Sequence, residues 1–173
     1  MSVNIFSDSA SPAVSVPPGQ TEPPHATHVG DDAEAVRLFS LAAAQGDADA
    51  EYALGVMFRD GRGVAQDDSE AVRLFTLAAN QGLATAQYRL GVVFLEGQGV
   101  AQDDAEAVRL FKLAAAKGNA AALNNLGLLF ENGRGVPLDR AEAIRLYRSA
   151  AAMTAFPSAV AHATAALQRL GAC

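Results

Sequence analysis

Residues 31–66 read DDAEAVRLFSLAAAQGDADAEYALGVMFRDGRGVAQ, and residues 67–102 read DDSEAVRLFTLAANQGLATAQYRLGVVFLEGQGVAQ. The two strings agree at 25 of 36 positions. A third copy runs from 103 to 138, and a fourth opens at Asp139 with DRAEAIRLYRSAA before it degenerates. Self-similarity at this period marks units that cannot bury an apolar face alone and must stack on their neighbours.

Each period contains two helices. The first, helix B, opens at an aspartate with a glutamate three residues on: Asp31 and Glu34, Asp67 and Glu70, Asp103 and Glu106, Asp139 and Glu142. That is capping-box spacing, which lets each side chain satisfy an orphan backbone N–H. Ala35, Leu38, Phe39, Ala42 and Ala43 then follow at helical intervals. Gly46, Gly82 and Gly118 come next, where a left-handed residue closes a helix. Helix A carries Ala50, Leu54 and Phe58 on one stripe, with Gly55 beside them, and stops at Gly61-Arg62-Gly63-Val64. The predicted fold is all-α, an α/α solenoid of 36-residue helix-turn-helix repeats.

The run from Gly46 to Phe58, closed by Gly61-Arg62-Gly63-Val64, resembles the Sel1-like repeat, a tetratricopeptide-like unit. So does Ala35-Val36-Arg37-Leu38-Phe39 leading into Ala42-Ala43-Ala44-Gln45-Gly46. In that family's phasing the solenoid spans 31–155, with a half repeat at 31–47 and repeats at about 48–83, 84–119 and 120–155. Leucine stands at Leu38, Leu74, Leu110 and Leu146, where the family often has a large aromatic. Leu41, Leu77 and Leu113 occupy a position that is usually polar. The resemblance implies a superhelix with a concave binding surface and an adaptor or scaffold role. A cysteine-rich subgroup of the family has been credited with β-lactam or peptidoglycan binding; its paired cysteines are missing here, since Cys173 stands alone.

Flanking segments differ in composition. Residues 1–30 hold five of the seven prolines, among serines and threonines. Such a stretch cannot bury enough apolar surface to offset its ordering entropy, and it reads as a disordered tail. His25 and His28 in it have no third ligand nearby, so no metal site is expected. The segment 156–173 reads as a capping helix with an apolar stripe of Val160, Ala163, Leu167 and Leu170.

The chain has a net charge of −6 and no basic cluster. Phosphates would repel it, which argues against nucleic acid and anionic membrane as partners. Residues 1–30 contain neither lysine nor arginine, so the positive region of a secretion signal is missing. No run approaches the about 18 apolar residues of a membrane helix. A cytoplasmic location is the expectation.

Chemistry-bearing motifs mostly have structural causes. The G-x-G-V turns close one helix and lead to an aspartate cap, whereas a dinucleotide fingerprint follows a strand. The paired aspartates at 31/32, 67/68 and 103/104 combine an N-cap with a first-turn charge. Arg37, Arg73, Arg109 and Arg145 each follow a glutamate by three, the spacing of a solvated ion pair. No catalytic residue, metal ligand or cofactor site is expected, and the chain does not read as an enzyme.

The face of helix A opposite Leu54 carries the candidate site. Tyr52, Val56 and Arg59 fall in one sector there, and a period on stand Tyr88, Val92 and Leu95, then Asn124, Leu128 and Glu131. Arg89 and Asn125 border these rows. In a solenoid that sector tends to line the concave surface, and tyrosine and arginine are common interface anchors. The expected function is a scaffold that binds a partner protein or peptide on that face. The alternatives are self-association through the Leu41, Leu77 and Leu113 row, which admits a homo-oligomer, and a small-molecule-binding or hydrolase-like module.

Overall fold

The computed structural model describes residues 28–172, which form eight helices and, among the described residues, no strand. They are α1 (His28–Ala43), α2 (Ala48–Asp60), α3 (Asp68–Asn80), α4 (Ala84–Glu96), α5 (Asp104–Ala116), α6 (Ala120–Asn132), α7 (Arg140–Ala151) and α8 (Pro157–Arg169). Odd-numbered helices are the B type and even-numbered the A type. Each packs chiefly on its sequence neighbours, and α6 also touches α8. Residues 1–27, which carry most of the expected tail and His25, lie outside the described residues.

The turns are built by local hydrogen bonding. Asp67, Asp103 and Asp139 cap α3, α5 and α7 through their side chains, each accepting from the glutamate N–H three residues on. The glutamates do not complete the capping box. They turn forward to arginine instead, Glu70 to Arg73 at 2.6 Å and Glu106 to Arg109 at 2.6 Å. The reason is that the cap residue's own N–H is already taken: Asp67 donates to the Phe58 carbonyl, and Asp103 and Asp139 to those of Phe94 and Phe130, each at 2.9 Å. Helix α1 departs from the aspartate rule as well. It begins at His28, three residues before Asp31, so Asp31 contributes a first-turn charge rather than a cap.

At the other helix ends Gly46, Gly82 and Gly118 have φ of 81°, 90° and 81°. The Gly82 N–H reaches the Ala79 carbonyl and the Leu83 N–H that of Ala78, the paired bonds of a Schellman close.

The core is made where a helix A glycine receives a helix B ring. Phe75, Phe111 and Tyr147 are buried, and a Cβ at Gly55, Gly91 or Gly127 would stand 2.8, 2.7 or 2.7 Å from the facing ring. The rings also meet the helix A tyrosines, with Tyr52–Phe75 and Tyr88–Phe111 centroids 5.7 and 5.8 Å apart. Leu74, Leu110 and Leu146 are buried in the same layer. In α1 the equivalent Leu38 and Phe39 are exposed, since among the described residues no helix A precedes α1 to receive them as α2 receives Phe75.

Candidate functional site

Helix stacking brings residues 36 apart side by side, so the helices A form one wall of the array. That wall encloses a groove of about 690 Å³ bordered by α2, α4 and the starts of α6 and α8. Tyr52, Val56, Arg59, Tyr88 and Arg89 all line it. These five are the predicted residues that the structure brings together.

The other six of the expected rows do not line the groove. Val92 and Leu95 are buried in the central core cluster with Phe111 and Leu126, because α6 and α5 close over that side of α4. Asn124 and Asn125 are buried too, and Asn124 donates through Nδ2 to the Ala159 carbonyl of α8 at 2.8 Å. Leu128 is half-buried on α6. Glu131 is engaged within the molecule: it accepts from the Tyr147 hydroxyl at 2.9 Å and pairs with Arg169 at 2.7 Å. Burial, with the Glu131 carboxylate beside it, pushes the Tyr147 hydroxyl far above the ordinary phenol range. The last copies of the predicted rows therefore hold α8 in place. Tyr88 lines the groove only with its edge, being 5% exposed and packed on Phe111.

Sequence reasoning missed several groove residues: Asp60, Arg62, Lys117 and Phe156. Arg62 and Lys117 sit in turns, which a helical-periodicity argument cannot orient. A signal was nevertheless present, because three of the groove residues break the repeat. Lys117 stands where the earlier copies have Gln45 and Gln81, Arg89 where they have Ala53, and Phe156 where they have Ala48, Ala84 and Ala120.

The groove's electrostatics centre on Asp60. Its carboxylate accepts from Arg59 at 2.7 and 3.0 Å. That bond, helped by the charges of Arg59, Arg62 and Arg89, holds the Asp60 carboxyl below the usual carboxylate range despite partial burial. Arg62 pairs with Asp32 at 2.7 Å, and Lys117 donates to the Gly82 carbonyl. Among the described residues Arg89 forms no ion pair, and its Nε is buried without a hydrogen-bond partner. No described group of three or more His, Cys, Asp or Glu side chains is placed to hold a metal ion. No described helix is long and apolar enough to cross a membrane.

Comparison with known proteins fits this architecture. A family model described as Sel1 repeat matches residues 29–47, 48–83, 84–119 and 120–154. Among solved structures, a protective antigen of uropathogenic Escherichia coli with an SLR fold is 38% identical with a TM-score of 0.68. The match covers 69% of this chain and 26% of that one. A Sel1 repeat protein from Oxalobacter formigenes is 32% identical, with a TM-score of 0.67 over 69% of this chain and 47% of that one. Helicobacter pylori cysteine rich protein B shares the fold at 15% identity, with a TM-score of 0.56 over 72% of this chain and 89% of that one. The chain thus spans about a quarter and about half of the first two relatives. No curated protein sequence matches it.

Proposed function

The chain belongs to the Sel1 repeat family, and from that premise we propose that it is a protein-binding module whose concave groove receives a segment of a partner protein. Proteins of this family generally mediate protein–protein interactions. The observation that carries the reading is the convergence of Tyr52, Val56, Arg59, Tyr88 and Arg89 on one groove about 690 Å³ in volume. A cleft of that size, with aromatic and guanidinium groups at its wall, matches the composition of interface anchors. The outer, helix B face is instead occupied by glutamate–arginine pairs that satisfy one another.

A photocrosslinking phenylalanine analogue separates the two faces. Thr85 is exposed at the groove wall, and Arg109 is exposed on the outer face of the same repeat. Crosslinks to a discrete protein are expected from position 85 and not from position 109. The reverse pattern would place the partner on the outer face and sink the reading.

A second reading, self-association, is favoured by a separate observation. Leu41, Leu77 and Leu113 are 59%, 39% and 40% exposed, and Leu38 beside them is 50% exposed. Contiguous exposed apolar side chains of this kind mark contact surfaces. Light scattering should then show molar mass rising with concentration, and Leu38→Glu combined with Leu41→Glu should abolish the rise. A wild-type mass that stays monomeric at every concentration would remove this reading.

A further inference from the structure

We propose that the groove selects an acidic peptide segment, with Arg89 as the principal carboxylate-binding residue; the inference rests on the groove being the docking site. The chain as a whole carries a charge of −6. The groove inverts that sign: Arg59, Arg62, Arg89 and Lys117 line it against the single carboxylate of Asp60. Three of the four cations are already engaged, Arg59 by Asp60, Arg62 by Asp32 and Lys117 by the Gly82 carbonyl. Arg89 alone forms no direct ion pair among the described residues, although its charge acts on Asp60, and its Nε is buried with no acceptor. The buried Nε is out of a ligand's reach, but the two terminal nitrogens of the planar guanidinium can meet one carboxylate in two bonds at once.

The backbone points the same way. Helices α4, α6 and α8 all start at the groove, through Ala84, Ala120 and Ser158 and their neighbours. Asn119 caps α6, but Leu83 and Phe156 stand at the N-caps of α4 and α8 with no side-chain hydrogen bond. Two helix starts therefore present backbone N–H groups without side-chain acceptors, together with the positive ends of their dipoles. The exposed ring of Phe156 and the side chain of Val56 supply apolar contact between the charges. A short acidic segment confined to the groove gains from all of this. A long polyanion such as nucleic acid would run out over an acidic surface and be repelled.

Fluorescence anisotropy with three labelled peptides of equal length tests the assignment, one built of Glu, Leu and Gly, one of Lys, Leu and Gly, and one of Ser, Leu and Gly. Only the acidic peptide is expected to bind, less tightly at about 0.5 M salt, where the Debye length falls to a few ångströms. Arg89→Ala should weaken it by about tenfold or more. Asp60→Asn should tighten it several-fold, because it releases Arg59 and removes the one competing carboxylate. Asp60 ends α2, where negative charge opposes the helix dipole, so this change leaves the helix intact. Circular dichroism melts confirm that both variants are folded. Equal binding of all three peptides, or two variants that shift affinity in the same direction, would overturn the proposal. So would an oligodeoxythymidine of matching charge that binds as tightly as the acidic peptide. If acidic preference fails while crosslinks still form from position 85, this inference falls and the docking reading stands. If those crosslinks fail as well, both fall.

Discussion

Phe111→Ala is expected to cost about 3–5 kcal/mol, the range for truncating a fully buried phenylalanine, and to split the unfolding transition. Phe111 has no exposed surface and sits at the middle of the array, between Gly91 of α4 and Tyr88. Repeats contact only their neighbours, so a central lesion weakens the coupling that makes the two halves melt together. The facing glycine supplies the control. In an exposed helix, Gly→Ala gains up to about 1 kcal/mol from propensity. At Gly91 a Cβ would stand 2.7 Å from Phe111 Cε1 and 2.8 Å from Cδ1, so the ring would have to move within a filled core. Gly91→Ala should therefore destabilise, by about 1–3 kcal/mol. In the double variant the added methyl occupies part of the space the ring vacates. Its cost should fall short of the sum of the single costs by about 1 kcal/mol or more, as contacting residues couple. Urea melts measure all three, and strict additivity would mean that the ring and the glycine do not share one packing site.

The same glycine explains why the fold was legible. Gly55, Gly91 and Gly127 recur at the period, as do Phe75, Phe111 and Tyr147 twenty residues later, so one correct helix pair fixes every other. Repetition turns a local helix argument into a global one. The site was legible only in part, for the reason that makes repeats easy to read. Periodicity assigns Tyr52, Tyr88 and Asn124 to the same environment, and the two tyrosines do share one, each against a helix B phenylalanine, but the third copy does not. Asn124 meets α8, through the Ala159 carbonyl, and Glu131 meets Arg169 of the same helix. Position 131 thus reads as a concave charge in the sequence and as a strut in the structure. The capping box failed for a related reason. Its geometry is local, but the N–H that Glu70 would accept from is claimed by Phe58, nine residues earlier across the turn.

Gly135→Val is the second large lesion, expected to cost about 3 kcal/mol or more, from left-handed strain of about 1–2 kcal/mol added to an overlap of about 1–3 kcal/mol. Gly135 has φ of 67°, and a Cβ there would lie 2.4 Å from the Asp104 carbonyl oxygen and 2.5 Å from its carbon. Those are backbone atoms in the first turn of α5, held by the Asp103 cap, so the obstacle cannot swing away as a side chain would. Arg134 draws the turn onto that helix by pairing with Asp104 at 2.7 Å. At Gly99 the preceding residue is Gln98, and the corresponding Cβ would meet Asp68 at 3.0 Å. Gly99→Val should therefore cost less than Gly135→Val. Acid titration supplies an independent check. The Arg134 hydrogen bond holds the Asp104 carboxyl below its ordinary range, against some opposition from burial. A carboxylate with a lowered folded pKa contributes stability that is complete above its unfolded pKa of about 3.9 and is lost as pH falls through the folded value. Valine at 135 pushes the turn off α5 and removes that contribution in advance. The stability gap between wild type and Gly135→Val should thus be widest near neutral pH and narrow on acidification. A gap that stays constant with pH would show that the Arg134–Asp104 pair survives the substitution and that the turn has not moved.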